Sequence, residues 1–98
     1  MNQRMEREPP SPGEILREEF LVPLGLTQRD FADHIGCDVK VINRIVNGRS
    51  AVTAPMALKL GSALGTSPEF WLNAQKAVDL HRAAREAVEL PPRVRIAS

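Results

Sequence analysis

The chain has 98 residues, of which 43% are hydrophobic, and this suits one small domain with a modest core. Its 13 lysines and arginines and 12 aspartates and glutamates give a formal net charge of +1, so it lacks the overall basicity common in nucleic-acid-binding domains. The single cysteine excludes an internal disulfide, and no apolar run approaches the roughly 20 residues of a membrane span.

The two ends of the chain show no apolar period. Residues 1–10 are charged and end in two prolines, and we expect a disordered extension there. This polar start is unlike a signal peptide, and we therefore expect a cytoplasmic protein without a membrane partner. Residues 89–98 combine two prolines with two arginines, which predicts a flexible basic tail. The folded domain is expected over residues 11–88.

A first helix is predicted from the sequence SPGE at residues 11–14. This is a capping box with proline at the first helical position. The helix should run to about Phe20, and Pro23 and Gly25 should close the element. The residues expected to face inward are Leu16, Phe20 and Leu24.

A helix-turn-helix pattern follows over residues 26–48. Thr27 is expected to cap the first of its helices, with the negative charge of Asp30 near the free amides of the first turn. Leu26 and Phe31 occupy the two positions of a hydrophobic staple. Gly36 supplies the conformational freedom that a sharp turn between crossing helices requires.

The second helix of this pattern is predicted from about Val39 to Asn47, with Asp38 as its N-cap and Gly48 at its end. At roughly 100° per residue, its side chains divide into two arcs. The apolar arc contains Val41, Ile42, Ile45 and Val46. The polar arc contains Lys40, Asn43, Arg44 and Asn47, with Val39 at its edge. The helix can therefore be buried on one side while it offers amides and cations on the other.

The positive charge of the chain is concentrated around this second helix. Residues 39–60 contain four cations and no acid, whereas residues 1–38 carry a net charge of −4. Lysine and arginine suit guanine acceptors or phosphates, asparagine suits adenine, and valine suits a thymine methyl group. The alternative without a binding function is an amphipathic helix with a solvated polar face. The complete two-helix pattern favours a helix that reads the major groove of DNA.

Two more helices are predicted. Thr53 and Pro55 begin a fourth, which ends at Gly65 and buries Met56, Ala57, Leu60 and Leu64. The sequence TSPE at residues 66–69 begins a fifth, which should run to about Val88. Its apolar stripe is expected to contain Phe70, Ala74, Ala77, His81, Ala84 and Val88, flanked by Trp71 and Val78. The side opposite this stripe should contain Gln75, Asp79, Arg82 and Glu86.

The second half of the fifth helix extends beyond the core that the other helices offer. We expect it to contact a second subunit or a partner protein. The residues expected at that contact are Ala77, His81, Ala84 and Val88.

The sequence contains no recognisable pattern for catalysis, metal binding, a cofactor or a small-molecule substrate. His34 and His81 are far apart, Cys37 is single, and no glycine-rich phosphate loop occurs. We expect His34 on the surface and Cys37 in the turn near the DNA side. An enzyme is not predicted.

The motifs resemble those of HigA-type antitoxins, a branch of the XRE (Cro/C1 phage-repressor-like) helix-turn-helix family. The resemblance spans about residues 11–88. It rests on PGEILREEFLVPLGLTQRDFA, on INRIVNGR with the following TAPMALKL, and on LGTSPEFWLNAQKAVDL, which is the most diagnostic for the branch. It implies an all-α, five-helix, lambda-repressor-like DNA-binding domain with a long C-terminal helix. Such a protein forms a homodimer, represses its own operon from a palindromic operator and neutralises a RelE-like toxin (HigB type) that cuts mRNA on ribosomes.

The resemblance also implies roles for individual residues. Residues at base-facing positions are Val39, Lys40, Asn43 and Arg44. Residues against the phosphate backbone are Gln28, which also braces the recognition helix, Asn47 and Arg49. Valine at position 39 departs from the polar residue that repressors often carry, so a methyl contact is the best expectation there.

Two other functions remain open at this point. A stand-alone XRE-family transcriptional regulator without a toxin would share every DNA-facing residue. A protein-binding module that has lost DNA binding would keep the fold alone. The residues themselves do not separate these possibilities from an antitoxin.

Overall fold

A computed structural model of the chain describes residues 7–86 and 89–95, and in these ranges it contains five helices and no strand. Helix α1 covers residues 12–24, and the others are α2 (Gln28–Ile35), α3 (Val39–Val46), α4 (Ala54–Leu64) and α5 (Pro68–Glu86). The predicted all-α fold with a long last helix is confirmed. None of the described helices has both the length and the apolarity needed to cross a membrane.

Helix α1 is longer than predicted and contains a wide turn. It begins as predicted, since the Ser11 Oγ accepts the Glu14 N–H at 3.1 Å. Its middle segment, Leu16–Leu21, is π-helical, and Val22–Leu24 returns to α-helix before Gly25 ends it at φ 67°. Because a π-turn pairs residues five apart, Leu16 and Leu21 come to the same buried side. The prediction that Leu24 faces inward is wrong, since this side chain is 59% exposed.

Local side-chain caps set the boundaries of α2 and α3. The Thr27 Oγ1 accepts the Asp30 N–H at 3.0 Å, and the Asp30 Oδ2 accepts the Thr27 N–H at 3.3 Å. Gly36 ends α2 in the left-handed region at φ 76°, as the turn requires. The Asp38 Oδ1 then accepts the Lys40 N–H at 2.8 Å and starts α3. These local features were predicted and are confirmed.

The core lies between the helix-turn-helix and the two last helices. Trp71 is fully buried, and its indole Nε1–H donates to the Thr66 Oγ1 at 2.7 Å. The Trp71 ring also lies 5.6 Å from the Phe20 ring and 5.1 Å from the Phe70 ring, centroid to centroid. The buried cluster consists of Leu16, Leu21, Phe31, Ala32, Ile42, Ile45, Val52, Ala57, Leu60 and Trp71. Trp71 therefore connects α5 to the rest of the domain.

The buried side of α5 is rotated relative to the predicted stripe. Trp71 and Val78 are the buried residues of this helix, whereas Phe70 is 41% exposed. Gln75 was predicted on the opposite side, but it is half-buried and in phase with Trp71 and Val78. The error arises because a stripe of five apolar residues and one histidine outweighs two apolar residues when hydrophobicity alone is counted. The large indole, with its hydrogen-bond partner, decides the actual orientation.

Helix α1 holds the end of α3 through a very close backbone contact. A β-carbon added at Gly13 would meet the Ile45 carbonyl oxygen at 1.8 Å. Any larger residue would therefore push the two backbones apart. Glycine at this position allows the start of α1 to lie against the last turn of α3.

The segments that flank the helices are irregular in the part that the structure describes. Residues 7–10 precede α1 without helix, and Glu8 forms an ion pair with Arg82 of α5. Residues 89–95 are also irregular, and all of them are exposed. Residues 1–6 and 96–98, and Val88 of the predicted partner contact, lie outside the described residues. The predicted domain boundaries remain predictions.

Candidate nucleic-acid interface

Helix α3 presents a polar surface to solvent. Lys40, Asn43 and Arg44 are exposed, whereas Ile42 and Ile45 are buried in the core. Val39 is half-buried and packs against the core cluster, so only part of it is available to a ligand. Val41, predicted to face inward, is 38% exposed because it lies at the flank of the buried arc. The exposed polar arc of α3 is otherwise the predicted one.

Three amide side chains form a chain of hydrogen bonds across the helix-turn-helix. Asn43 Nδ2 donates to Gln28 Oε1 at 3.1 Å, which ties α3 to the start of α2. Asn47 Nδ2 donates to Asn43 Oδ1 at 3.3 Å, which continues the chain along α3. Of the predicted site residues, these three are thus brought together. Their side chains are held in defined orientations before any ligand arrives.

Asn43 keeps unused hydrogen-bonding capacity in this arrangement. Its amide nitrogen carries two N–H donors, and one of them is used by Gln28. Its carbonyl oxygen has two lone pairs, and one of them accepts from Asn47. One donor and one acceptor remain, the pair that a bidentate contact with adenine requires. Asn43 is therefore oriented by its neighbours and still equipped to read a base edge.

The loop after α3 places Arg49 beside the end of that helix. Gly48 adopts φ 71°, and the chain then turns back so that the backbone N–H groups of Arg49 and Ser50 both donate to the Arg44 carbonyl, at 2.8 and 3.3 Å. Arg44 and Arg49 are both exposed. Their backbones are joined, so the two guanidinium groups extend from one structural unit.

The surface around α3 is positively charged. Lys40, Arg44, Arg49 and Lys59 are exposed, and none forms an ion pair with any residue that the structure describes. The ion pairs among the described residues are Arg17–Glu18 and Glu8–Arg82, and neither includes one of these four cations. Free cations on an exposed face are suited to the phosphates of a nucleic acid.

Sequence reasoning missed the contribution of Gln75 to this surface. Gln75 Oε1 accepts the Val52 N–H at 2.9 Å and so holds the loop after α3 against α5. The signal was present, because Gln75 lies four residues after Trp71 and three before Val78, on the same side of a helix. If the buried side of the helix had been centred on Trp71, Gln75 would have been predicted to face inward.

Of the four residues predicted at a partner contact, Ala77, His81 and Ala84 lie on α5, and Val88 lies outside the described residues. Ala77 and Ala84 are exposed, and His81 is half-buried. The His81 Nε2 is buried without a hydrogen-bond partner among the described residues. Leu80, which was not predicted, adds a side chain that is 63% exposed to this half of the helix.

His34 lies on the surface and Cys37 lies in the turn, as expected, while the expected nearness of Cys37 to DNA stays a prediction. His34 is exposed near the end of α2. Cys37 is half-buried in the turn and packs against the core. Burial raises the pKa of the Cys37 thiol; the positive charge of Lys59 opposes this increase, and the negative charge of Asp38 adds to it. A thiol with a raised pKa is a poor nucleophile at neutral pH.

The fold and this surface define a helix-turn-helix protein. The family model for the helix-turn-helix matches residues 16–71. Over 77 aligned residues the chain is 47% identical to antitoxin HigA-1 of Vibrio cholerae. The alignment covers 79% of this chain and 72% of the relative.

Solved structures agree with this match. The antitoxin GraA superimposes with a TM-score of 0.79 at 44% identity, over 82% of this chain and 86% of GraA. GraA in complex with its operator gives a TM-score of 0.76 over 82% and 81% of the two chains. The Pseudomonas aeruginosa antitoxin HigA with the higBA promoter gives 0.76 at 35% identity, over 79% of this chain and 84% of that one. The chain belongs to the HigA-type antitoxins of the XRE helix-turn-helix family, a family of DNA-binding regulators rather than enzymes.

Proposed function

We propose that the chain is the antitoxin of a type II toxin–antitoxin system and that it represses its own operon by binding a palindromic operator. The observation that carries the DNA-binding part is the Gln28–Asn43–Asn47 chain of hydrogen bonds on an exposed surface whose cations form no ion pair with the described residues. The similarity to GraA, solved with its operator, and to the Pseudomonas aeruginosa HigA, solved with a promoter, supports the same function.

In this proposal α3 enters the major groove. Its base-facing residues are Lys40, Asn43 and Arg44, with Val39 offering part of its side chain to a thymine methyl group. The phosphate contacts come from Gln28 at the start of α2 and from Asn47 and Arg49 just after α3. Asn43 supplies base discrimination, because its remaining donor and acceptor match adenine, and Arg49 supplies affinity for any duplex.

Dimerisation follows from the need for two half-sites. A homodimer would place two α3 helices in successive major grooves, about 34 Å apart, and so cover a palindromic operator. The exposed flank of α5 with Ala77 and Ala84 is the proposed subunit contact. Ala84→Glu should shift the protein from dimer to monomer in sedimentation velocity, whereas Ala83→Glu, the same change on another side of α5, should not. Equal behaviour of the two variants would contradict this contact.

The proposed partner protein is a RelE-like, mRNA-cleaving toxin of the HigB type. The antitoxin would act in the cytoplasm by binding, with no catalysis, cofactor, small-molecule substrate or membrane of its own. The similarity to HigA-1 and GraA, both antitoxins by name, supports this part. Toxin binding would also change how strongly the dimer occupies its operator.

The test has two arms. The purified chain is first mixed with a duplex containing the DNA directly upstream of its own coding sequence, and a gel shift at low salt is expected. The chain is then co-expressed with the neighbouring small reading frame, and co-purification of a basic partner with relief of its toxicity is expected. A gel shift without any such partner would favour a stand-alone regulator. A partner without a gel shift would favour a protein-binding module and would overturn the DNA-binding part.

A further inference from the structure

The loop between α3 and α4 is fixed at two points. At its start, the Arg49 and Ser50 N–H groups bond to the Arg44 carbonyl at the end of the recognition helix. At its end, the Val52 N–H bonds to Gln75 of α5 at 2.9 Å, and the Val52 side chain is 4% exposed. Arg49 is itself part of the first attachment and lies three residues before the second.

The Gln75 side chain is itself held in one orientation. Its Oε1 accepts from Val52, and its Nε2 donates to Asp79 Oδ1 at 2.9 Å. Rotation of the amide by half a turn would present N–H groups to the Val52 N–H and an oxygen to the carboxylate, and both contacts would then be repulsive. Asp79 therefore selects the orientation in which Gln75 can bind the loop.

Arg49 lines the same cleft as these two residues. The cleft, of about 150 Å³, lies between α5, the start of α1 and the loop after α3, and its walls include Gly13, Arg49, Gln75 and Asp79. Arg49 therefore borders the α5 residues that hold the loop, while its own backbone N–H is bonded to α3.

We propose that Gln75, oriented by Asp79, is a positioning residue for DNA binding, because it holds the Arg49 loop at the place where Arg49 meets a phosphate. The proposal rests on the DNA-binding function proposed above. It also makes α5, the proposed subunit contact, a determinant of DNA affinity, because the same helix carries the bond to the loop.

The first test replaces the amide. Gln75→Met keeps an unbranched side chain of similar length but leaves the Val52 N–H without its partner, and Lys76→Met is the matched control on the exposed side of α5. Gln75→Met should weaken binding to the upstream duplex by about fivefold, the effect of one neutral hydrogen bond. Hydrogen exchange of the Val52 amide should become faster in Gln75→Met and stay unchanged in Lys76→Met.

A double-mutant cycle separates positioning from general loss of stability. If Gln75 acts through Arg49, Gln75→Met should cost little extra in the Arg49→Ala background, because the positioned group is already absent. A general loss of stability would instead weaken binding by the same factor in both backgrounds.

The role of Asp79 is tested by two variants that both remove its charge. Asp79→Asn keeps an oxygen acceptor for the Gln75 Nε2, whereas Asp79→Leu does not. The affinity of Asp79→Asn for the duplex should be within about twofold of that of the unaltered protein. The affinity of Asp79→Leu should be about fivefold lower, as expected for Gln75→Met. Equal affinities for the two variants would show that the acceptor for Gln75 Nε2 is not needed for DNA binding and would overturn the part of the proposal that concerns Asp79.

The outcomes distinguish this proposal from the proposed function. If the unaltered protein does not shift the duplex, the DNA-binding function fails, and the positioning role fails with it. If the unaltered protein binds and the Gln75→Met variant binds equally well, only the positioning role is overturned. The same holds if the Gln75→Met change weakens binding by the same factor in the presence and absence of Arg49.

Discussion

The backbone of Gly13 touches that of Ile45 so closely that a β-carbon at Gly13 would come within 1.8 Å of the Ile45 carbonyl oxygen. This contact joins the start of α1 to the last turn of the recognition helix. The orientation of α3 in the domain therefore depends on a residue more than 30 positions earlier in the chain.

Gly13→Ala should destabilise the protein strongly. The obstructing atoms belong to the backbone and cannot rotate away, so the cost should reach at least about 3 kcal/mol, the upper end for overpacked cores. Urea unfolding measures this directly. Gly25→Ala is the control, because no atom lies within 4 Å of its added β-carbon and only its φ of 67° causes strain, about 1 kcal/mol. A cost for Gly13→Ala no larger than that of the control would disprove the close contact.

Asn43→Ala should reduce discrimination between operators more than it reduces affinity for random DNA. A bidentate base contact contributes about 1–3 kcal/mol to discrimination, which corresponds to roughly tenfold or more. Fluorescence anisotropy with the upstream duplex and a scrambled duplex measures both quantities. An equal loss on the two duplexes would remove Asn43 from the base-reading residues.

Gln28→Ala should be non-additive with Asn43→Ala. Because Asn43 Nδ2 donates to Gln28 Oε1 at 3.1 Å, loss of Gln28 frees Asn43 to rotate and costs part of the same discrimination. The two changes together should therefore cost less than their sum, by a coupling of about 0.5 kcal/mol or more. Additive effects on operator affinity would indicate that Gln28 contacts DNA without bracing Asn43.

Arg49→Ala should weaken binding to all duplexes by a similar factor. One phosphate contact is lost per subunit, so the slope of log K against log salt should become shallower by about 0.9 per subunit, or about 1.8 for the proposed dimer. Arg85→Ala, an exposed arginine on α5, is the control and should leave the slope unchanged. A sequence-dependent loss with an unchanged slope would assign Arg49 to base contacts instead.

Thr66→Val should destabilise the core although it keeps the shape of the side chain. The buried Trp71 indole N–H would lose its acceptor, which lies at 2.7 Å, at a cost of about 1–3 kcal/mol. Thr66→Ser retains the hydroxyl and should recover most of the stability in thermal unfolding. If the serine and valine variants unfold alike, the hydrogen bond contributes little and packing of the methyl group matters more.

Cys37 should react slowly with iodoacetamide in the folded protein. Because burial raises the pKa of its thiol, the reactive thiolate is a smaller fraction at neutral pH than in an ordinary cysteine, and the rate should keep increasing with pH beyond the usual thiol range. Urea-unfolded protein provides the reference rate. Alkylation of the folded protein at or above that rate would contradict the raised pKa.

The predicted caps and turns of the helix-turn-helix, which depend on neighbouring residues in the chain, agreed with the structure. The caps at Thr27 and Asp38 and the left-handed turn at Gly36 all involve bonds between residues two to five apart. The polar face of α3 followed from the same short-range periodicity. Such features depend on backbone geometry that one segment determines by itself.

Predictions that depend on what a helix packs against were less successful. The inward side of α5 was placed around Phe70, but the buried Trp71 sets it, and Gln75 faces the loop after α3 as a result. In α1, the π-turn buries Leu21 rather than Leu24. Both errors came from treating an isolated helix as if its apolar residues alone fixed its orientation.

The sequence by itself determined that this is an all-α, helix-turn-helix protein with an amide- and cation-rich recognition helix, because caps, turns and the period of α3 are local. Only the tertiary structure decided how that helix is held: by Gly13 against Ile45, by Gln28 on Asn43, and by Gln75 on the loop that carries Arg49. The physical reason is that each of these contacts joins residues 15 or more positions apart, and hydrophobic periodicity contains no information about which distant partner a polar side chain will meet.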